Sequence, residues 1–323
     1  MKLFLNIFLI YFLLPLLGFS SLSTPLFAAP LKIGLLPVAD TILIIAAESQ
    51  GFFKARGLEV DLVFFQSAIE KDSAAMAGSI DGHFCEIISS IVQVASGKNF
   101  KVIATTTYTS PERRMFGLVT SPAAKDLSLE DLKGKRILIA KQTITDFLTD
   151  IFLEKQGLPL DYMQRQDVRK IPVRMQLLLS DQAEATLIPE PMLSVAEKAN
   201  GTVLLDDRNL NMPLATVALN ASLPAETIKA FQDALSDSIA WINAHPVEGK
   251  ALMVMRALIP PDLEESYVLP IFDPNYLPMK LPDKELYDKY IAYLQKIGVL
   301  KGQANPEGLP VPAYEDVVYI HHD

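Results

Sequence analysis

The chain has 323 residues, half of them apolar, with 29 Lys plus Arg against 38 Asp plus Glu and a formal net charge of −9. That length suits two domains of ~100–200 residues each, with a sizeable core. The acidic balance argues against a nucleic-acid partner, which usually leaves a basic footprint.

Met1 and Lys2 precede an apolar run over 3–19, and a small or polar stretch over 20–29 closes it. One cation, an apolar run and a small-residue exit are the parts of a secretory signal. Cleavage is expected after Ala28, giving a signal peptide over 1–28 and a mature chain that is soluble outside the cytoplasm. An uncleaved membrane anchor is the competing reading, against which Pro15 interrupts the run. The one cysteine, Cys85, stands far from this boundary, so no lipid attachment there is expected. No intramolecular disulfide is possible, although export would permit one.

Residues 31–36 predict a strand, 41–53 a helix and 58–65 a second strand, in about 35 residues, the size of a βαβ unit. A helix over 69–77, a short strand over 79–86, a helix over 87–96 and a threonine-rich strand over 100–107 follow. The middle repeats the plan: a strand over 135–140, a helix over 144–156 stopped at Gly157, a helix over 171–179 and a strand ending at Ile188. Ile33 and Ile137 open strands 104 residues apart, Gly57 and Gly157 end helices 100 apart, and Asp81 and Glu184 open short strands 103 apart. Three landmarks with nearly one offset predict two α/β lobes of the same topology.

A strand over 214–219 comes next, then helices over 224–244, 247–258 and 286–297, with a proline-rich path between the last two. The first of these carries Ile228, Phe231, Leu235, Ile239 and Ile242 at helical spacing. These helices are expected to wrap the first lobe. Lobe 1 is then 30–110 with 215–323, and lobe 2 is 111–214, with crossings near 108–116 and 207–216.

Ligands of open α/β sheets bind outside the C-terminal ends of the strands. In the first lobe those ends offer Ala39, Asp40 and Thr41, then Gln66, Ser67 and Ala68, then Cys85 and Glu86, with Thr107 ending the fourth strand. In the second they offer Thr143, Ile144 and Thr145, then Pro189 and Glu190. Two of these loops lead into helices, whose N-termini present free N–H groups. Asp40 has a rival role as the cap of its helix, as do Thr143 and Thr145. Glu190 is held between two prolines and is expected to face a ligand. Arg113 and Arg114 sit at a crossing and are expected to pair with an acid there. Phe84, Tyr108 and Phe116 are candidates to stack on a ring, with core burial as the rival role. Asp40, Glu86 and Glu190 together favour a ligand with amine or ring N–H donors, because buried acids need a partner.

Catalytic patterns are missing: the sequence has no HExxH, CxxC, GxSxG, Walker or GxGxxG motif. Of the four histidines, His83 is expected in the core, and His321-His322-Asp323 is a possible metal trio on a terminus that by default frays. No catalytic residue, metal or cofactor is expected.

Leu36-Pro37-Val38-Ala39-Asp40, Glu48-Ser49-Gln50-Gly51-Phe52-Phe53-Lys54 and Gly57-Leu58-Glu59-Val60 resemble the start of substrate-binding proteins of ABC importers, in the group that includes sulfonate, nitrate and thiamine-pyrimidine binders. Ser67-Ala68, Ala77-Gly78-Ser79-Ile80-Asp81-Gly82, Asp131-Leu132-Lys133-Gly134-Lys135-Arg136-Ile137 and Leu187-Ile188-Pro189-Glu190-Pro191 extend the resemblance to about residues 31–300. It implies an α/β, two-lobed periplasmic binding protein of type II with two crossovers and a central cleft. It also implies a small-molecule ligand captured by lobe closure, ligand contacts through Ala39, Asp40 and Thr41, and an ABC permease and its ATPase as partners. The chain is expected to be a periplasmic monomer and no enzyme. An enzyme or a sensor on the same fold, such as one in cofactor biosynthesis, is the alternative. Two departures stand out. Sulfonate binders tend to carry a glycine-tyrosine type first loop where this chain has Pro37-Val38-Ala39-Asp40, and one cysteine cannot supply the iron segment of the pyrimidine synthases.

Overall fold

A computed structural model describes residues 29–210, 212–270 and 282–319. The expected signal peptide over 1–28, the His321-His322-Asp323 trio and residues 271–281 of the proline-rich path lie outside them. No described helix is long and apolar enough to cross a membrane.

The first sheet collects β1 (Leu31–Leu35), β2 (Val60–Phe64), β3 (Gly82–Glu86) and β4 (Phe100–Tyr108). Between them run α1 (Ile42–Ser49), α2 (Phe52–Ala55), α3 (Ala68–Met76) and α4 (Ile87–Ala95). The second sheet collects β5 (Phe116–Thr120), β6 (Arg136–Ile139), β7 (Gln164–Asp167), β8 (Ala185–Pro189) and β9 (Val203–Asp206), with α5 (Ile144–Lys155), α6 (Ile171–Leu179) and α7 (Met192–Lys198). The chain then returns through β10 (Pro213–Asn220) to α8 (Ala225–Ala244), α9 (Pro246–Met255), α10 (Lys284–Lys296) and α11 (Tyr314–Val317).

Strand order is β2-β1-β3-β10-β4 in one sheet and β7-β6-β8-β5-β9 in the other. In each, the fourth strand runs antiparallel to its neighbours. That strand is the one that has just arrived from the other sheet: β4 leads into β5, and β9 into β10. The two sheets are therefore topological copies that exchange one strand, which is the physical content of the recurring offset.

Helix α1 is apolar on every side because it is buried on every side, Ile42 to Ala47 being fully covered. It packs between the first sheet and α8, whose Ile228, Phe231, Leu235, Ile239 and Ile242 form the buried stripe. Phe53 meets Phe231 with ring centroids 4.7 Å apart. The expected continuous helix over 41–53 is instead divided: Ala39–Thr41 form a 3₁₀ turn, and Gly51 at φ 75° separates α1 from α2. A left-handed backbone of that kind favours glycine and stops a helix. Helix α10 departs from the expected wrap of the first lobe. Its Tyr290 meets Phe147 of α5 at a tilt and Tyr293 meets it edge-on, Lys296 pairs with Asp150 at 2.8 Å, and α10 also packs on α4, so it braces both lobes.

Candidate functional site

The strand ends of the two sheets face each other across a cavity of about 30 Å³. The wall of the first sheet comes from Leu36, Val38, Asp40, Ala68, Phe84 and Glu86. The second contributes Thr143, Ile144 and Thr145 from the start of α5, Ile171 and Arg174 from α6, and Pro189 and Glu190 from the end of β8. Met115, Phe116, Ala140 and Arg169 complete the lining.

The walls are tied together. The Ala39 amide donates to the Glu190 carbonyl at 2.9 Å, and the Ile171 amide donates to the Gln66 carbonyl at 3.0 Å. Lys170 pairs with Glu70 across the mouth at 3.2 Å. Each of these bonds joins a residue beside the first sheet to one beside the second.

Asp40 is buried at 4% exposure and makes no cap hydrogen bond. Its Oδ2 accepts from the hydroxyls of Thr107 (3.1 Å) and Thr106 (3.3 Å) on β4. Burial pushes its carboxyl up to about 7, against hydrogen bonds from its own backbone, Thr107 and Thr106, and with a contribution from nearby Glu86. Glu86 ends β3 at the N-cap of α4, where burial raises its carboxyl and Lys71 pulls it back down. A buried carboxyl held neutral either donates a hydrogen bond or accepts a proton-rich ligand group.

Behind Glu86 lies a polar network that the sequence did not announce. Lys71 of α3, fully buried, donates to Asp72 Oδ1 at 2.6 Å and to His83 Nδ1 at 2.8 Å. His83 Nε2 then donates to Gln93 Oε1 at 3.1 Å. Burial first and Lys71 second hold His83 neutral, with its pKa down at about 3. His83 is thus a core histidine.

Glu190 lines the cavity, yet its carboxylate is already engaged. Oε1 accepts from Arg114 Nε at 3.1 Å, and Oε2 accepts from the Ser194 amide (3.2 Å) and hydroxyl (2.7 Å). Arg114 also grips Glu197. Thr143 caps α5 by accepting from the Thr145 amide, and the Thr145 hydroxyl binds the Ala140 backbone. The start of α5 borders the cavity with its amides already engaged, Thr145 by Thr143 Oγ1 and Asp146 and Phe147 by the Thr143 carbonyl.

Of the residues expected at the site, Asp40, Ala68, Glu86, Thr143, Ile144, Thr145, Pro189 and Glu190 line the cavity. Ala39, Thr41, Gln66, Ser67 and Thr107 stand behind the wall. Thr41 Oγ1 donates to the Val38 carbonyl, Ser67 caps α3 by accepting from the Glu70 amide, and Gln66 and Ala39 supply the backbone ties. Phe84 and Phe116 line the space, whereas Tyr108 borders a separate groove between α5 and α10. Arg169 and Arg174 are the additions. Among the described residues no group of three or more His, Cys, Asp and Glu side chains could hold a metal ion.

The fold is shared with solved binding proteins. The aliphatic sulphonate binding protein SsuA from Escherichia coli matches with a TM-score of 0.71 at 16% identity, over 91% of this chain and 92% of that one. The alkanesulfonate-binding protein SsuA from Xanthomonas axonopodis pv. citri, bound to MOPS, gives 0.70 at 16%, over 84% and 92%. The nitrate-binding protein NrtA from Synechocystis PCC 6803 gives 0.60 at 15%, over 71% and 66%. No curated protein matches the sequence. The profile described as NMT1/THI5 like matches residues 39–249, about two thirds of the chain, from the first cavity loop to the middle of the C-terminal helices, and the chain belongs to that family.

Proposed function

We propose that this protein is the extracytoplasmic solute-binding component of an ABC import system, capturing a small nitrogen-containing solute by closing its two lobes. In this reading residues 1–28 direct export and are removed, lobe 1 is 30–110 with 215–323, and lobe 2 is 111–214. The partners are a permease and its ATPase. The observation that carries the proposal is the cavity walled by strand ends of both sheets and spanned by backbone bonds between them, Ala39 to Glu190 and Ile171 to Gln66. Such a cavity is sealed when full and has to open for entry, which is hinge closure. The sulphonate and nitrate binding proteins that share the fold support the role. The buried acids Asp40 and Glu86 favour an amine or N–H group on the solute.

The test is mass spectrometry of small molecules released from the natively purified protein, followed by small-angle scattering with and without the solute identified. A released solute and a smaller radius of gyration when it is added back are expected. An unchanged radius under saturating solute would refute closure.

A further inference from the structure

The cavity lining carries a buried cation that has no ion-pair partner among the described residues. Arg174 sits one turn inside α6, is 2% exposed and lines the cavity. Its Nη1 donates to the carbonyls of Val168 (2.8 Å) and Arg169 (3.3 Å), which fix the plane of the guanidinium. Its Nε, also buried, has no hydrogen-bond partner among the described residues. No carboxylate lies within ion-pair distance of Arg174 among those residues. Arg169, the other arginine of the lining, is answered by Asp167 at 2.9 Å.

A buried, unpaired guanidinium is costly, because it has left water without gaining a counter-charge. It also stays cationic: burial lowers its pKa only to about 10, with Asp167 and Glu86 opposing. The edge of a guanidinium that carries Nε presents two parallel N–H groups, which fit the two oxygens of a carboxylate or sulfonate. Asp40 and Glu86 line the opposite wall, from the first sheet. The cavity therefore has one anion-seeking wall and one wall that seeks N–H donors.

We infer that the captured solute is two-ended, with a carboxylate or sulfonate held by Arg174 and an amine or N–H group held by Asp40 and Glu86. This rests on the solute-binding proposal and narrows it. The acids alone would select cations, and Arg174 makes a purely cationic solute unfavourable.

The mature protein, freed of co-purified solute by unfolding and refolding, is titrated with three probes of one length: β-alanine, propanoate and propylamine. Melting temperature is the first readout and calorimetric affinity the second. β-Alanine is expected to stabilise most and propanoate less, with propylamine weakest. Arg174→Met is expected to lose at least about tenfold in affinity for β-alanine and propanoate, as for a lost charge-assisted bond. Arg174→Lys, which keeps the charge and loses the fork, should fall between, and it serves if the methionine variant does not fold. Propylamine binding as well as β-alanine, or β-alanine binding unchanged in Arg174→Met, overturns the inference while leaving the solute-binding proposal in place. If no probe binds, the solute released from the native protein decides. One with an anionic group and at least tenfold weaker binding to Arg174→Met supports the inference, and one without such a group, or one that binds both proteins equally, overturns it. No probe binding and no solute released overturns the solute-binding proposal as well.

Discussion

Asp40 offers a direct measure of what burial at the cavity does to a charge. Its carboxyl is raised from 3.8 to about 7, chiefly by burial. At about 1.4 kcal/mol per pH unit, ionising it in the ligand-free folded protein costs ~4 kcal/mol. The sign follows from proton counting. Between pH 3.8 and about 7 the folded state holds this proton and the unfolded state has lost it, so stability falls as pH rises. The contribution is fully present below 3.8, shrinks through that window and is gone above the folded value. From pH 5 upward the loss is ~3 kcal/mol. Asp40→Asn keeps an acceptor for Thr106 and Thr107 and cannot ionise, so it isolates the effect. Glu86 and Asp207, whose carboxyls burial also raises, are present in both proteins and largely cancel in the comparison. Urea melts of ligand-free wild type and Asp40→Asn at pH 5 and pH 8 are the assay. The variant should gain on the wild type by ~3 kcal/mol between the two. Parallel stabilities at both pH values would show that Asp40 is solvated in the folded protein and that the cavity does not exclude water.

Three further outcomes are expected. Arg114→Met should destabilise the protein by ~3 kcal/mol in urea melts, because buried Glu190 loses its cation, and Glu190→Gln should restore much of that loss in the double variant. Lys71→Met should cost a similar ~3 kcal/mol, since Asp72 and His83 both lose their donor; an unchanged midpoint would mean the network is ornamental. Gly82→Ala on β3 should cost ~1–3 kcal/mol by overpacking, as its Cβ would meet the Ala218 carbonyl at 2.9 Å and the Leu219 side chain closer still; a neutral result would show that β10 can shift.

The fold was legible where hydrophobic pattern and burial coincide. Apolar runs gave β1 and β6, a run rich in β-branched residues gave β4, and the stripe from Ile228 to Ile242 gave α8. The repeated offset carried the two-lobed topology even though three strands escaped notice. Each escaped for a reason. Gln164–Asp167 (β7) is a polar edge strand that owes its place to backbone bonds with β6, so no apolar alternation marks it. Val203–Asp206 (β9) is four residues long on the opposite edge, too short for a period. Phe116–Thr120 (β5) is buried on both faces and includes Gly117, so it lacks alternation as well, and it begins where a crossing was expected.

The site was legible by the same logic, and incomplete by it. The rule about strand ends locates loops, so it found Asp40, Glu86, Thr143 and Glu190 without any contact being known. It says nothing of a helix interior, where an arginine is normally a solvated face residue. Arg174 is covered only because the Ile171 amide reaches Gln66 on the other sheet and brings α6 down over the cavity. Glu190 is the converse case: its position was evident, but the Arg114 that neutralises it arrives from a crossover 76 residues away in sequence. Counting strand-end acids from the sequence therefore predicts an acidic cleft, whereas in the folded cavity two carboxyls, Asp40 and Glu86, and one guanidinium, Arg174, stand without an ion-pair partner among the described residues. A solute matched to the first count would be a cation; one matched to the second carries both charges.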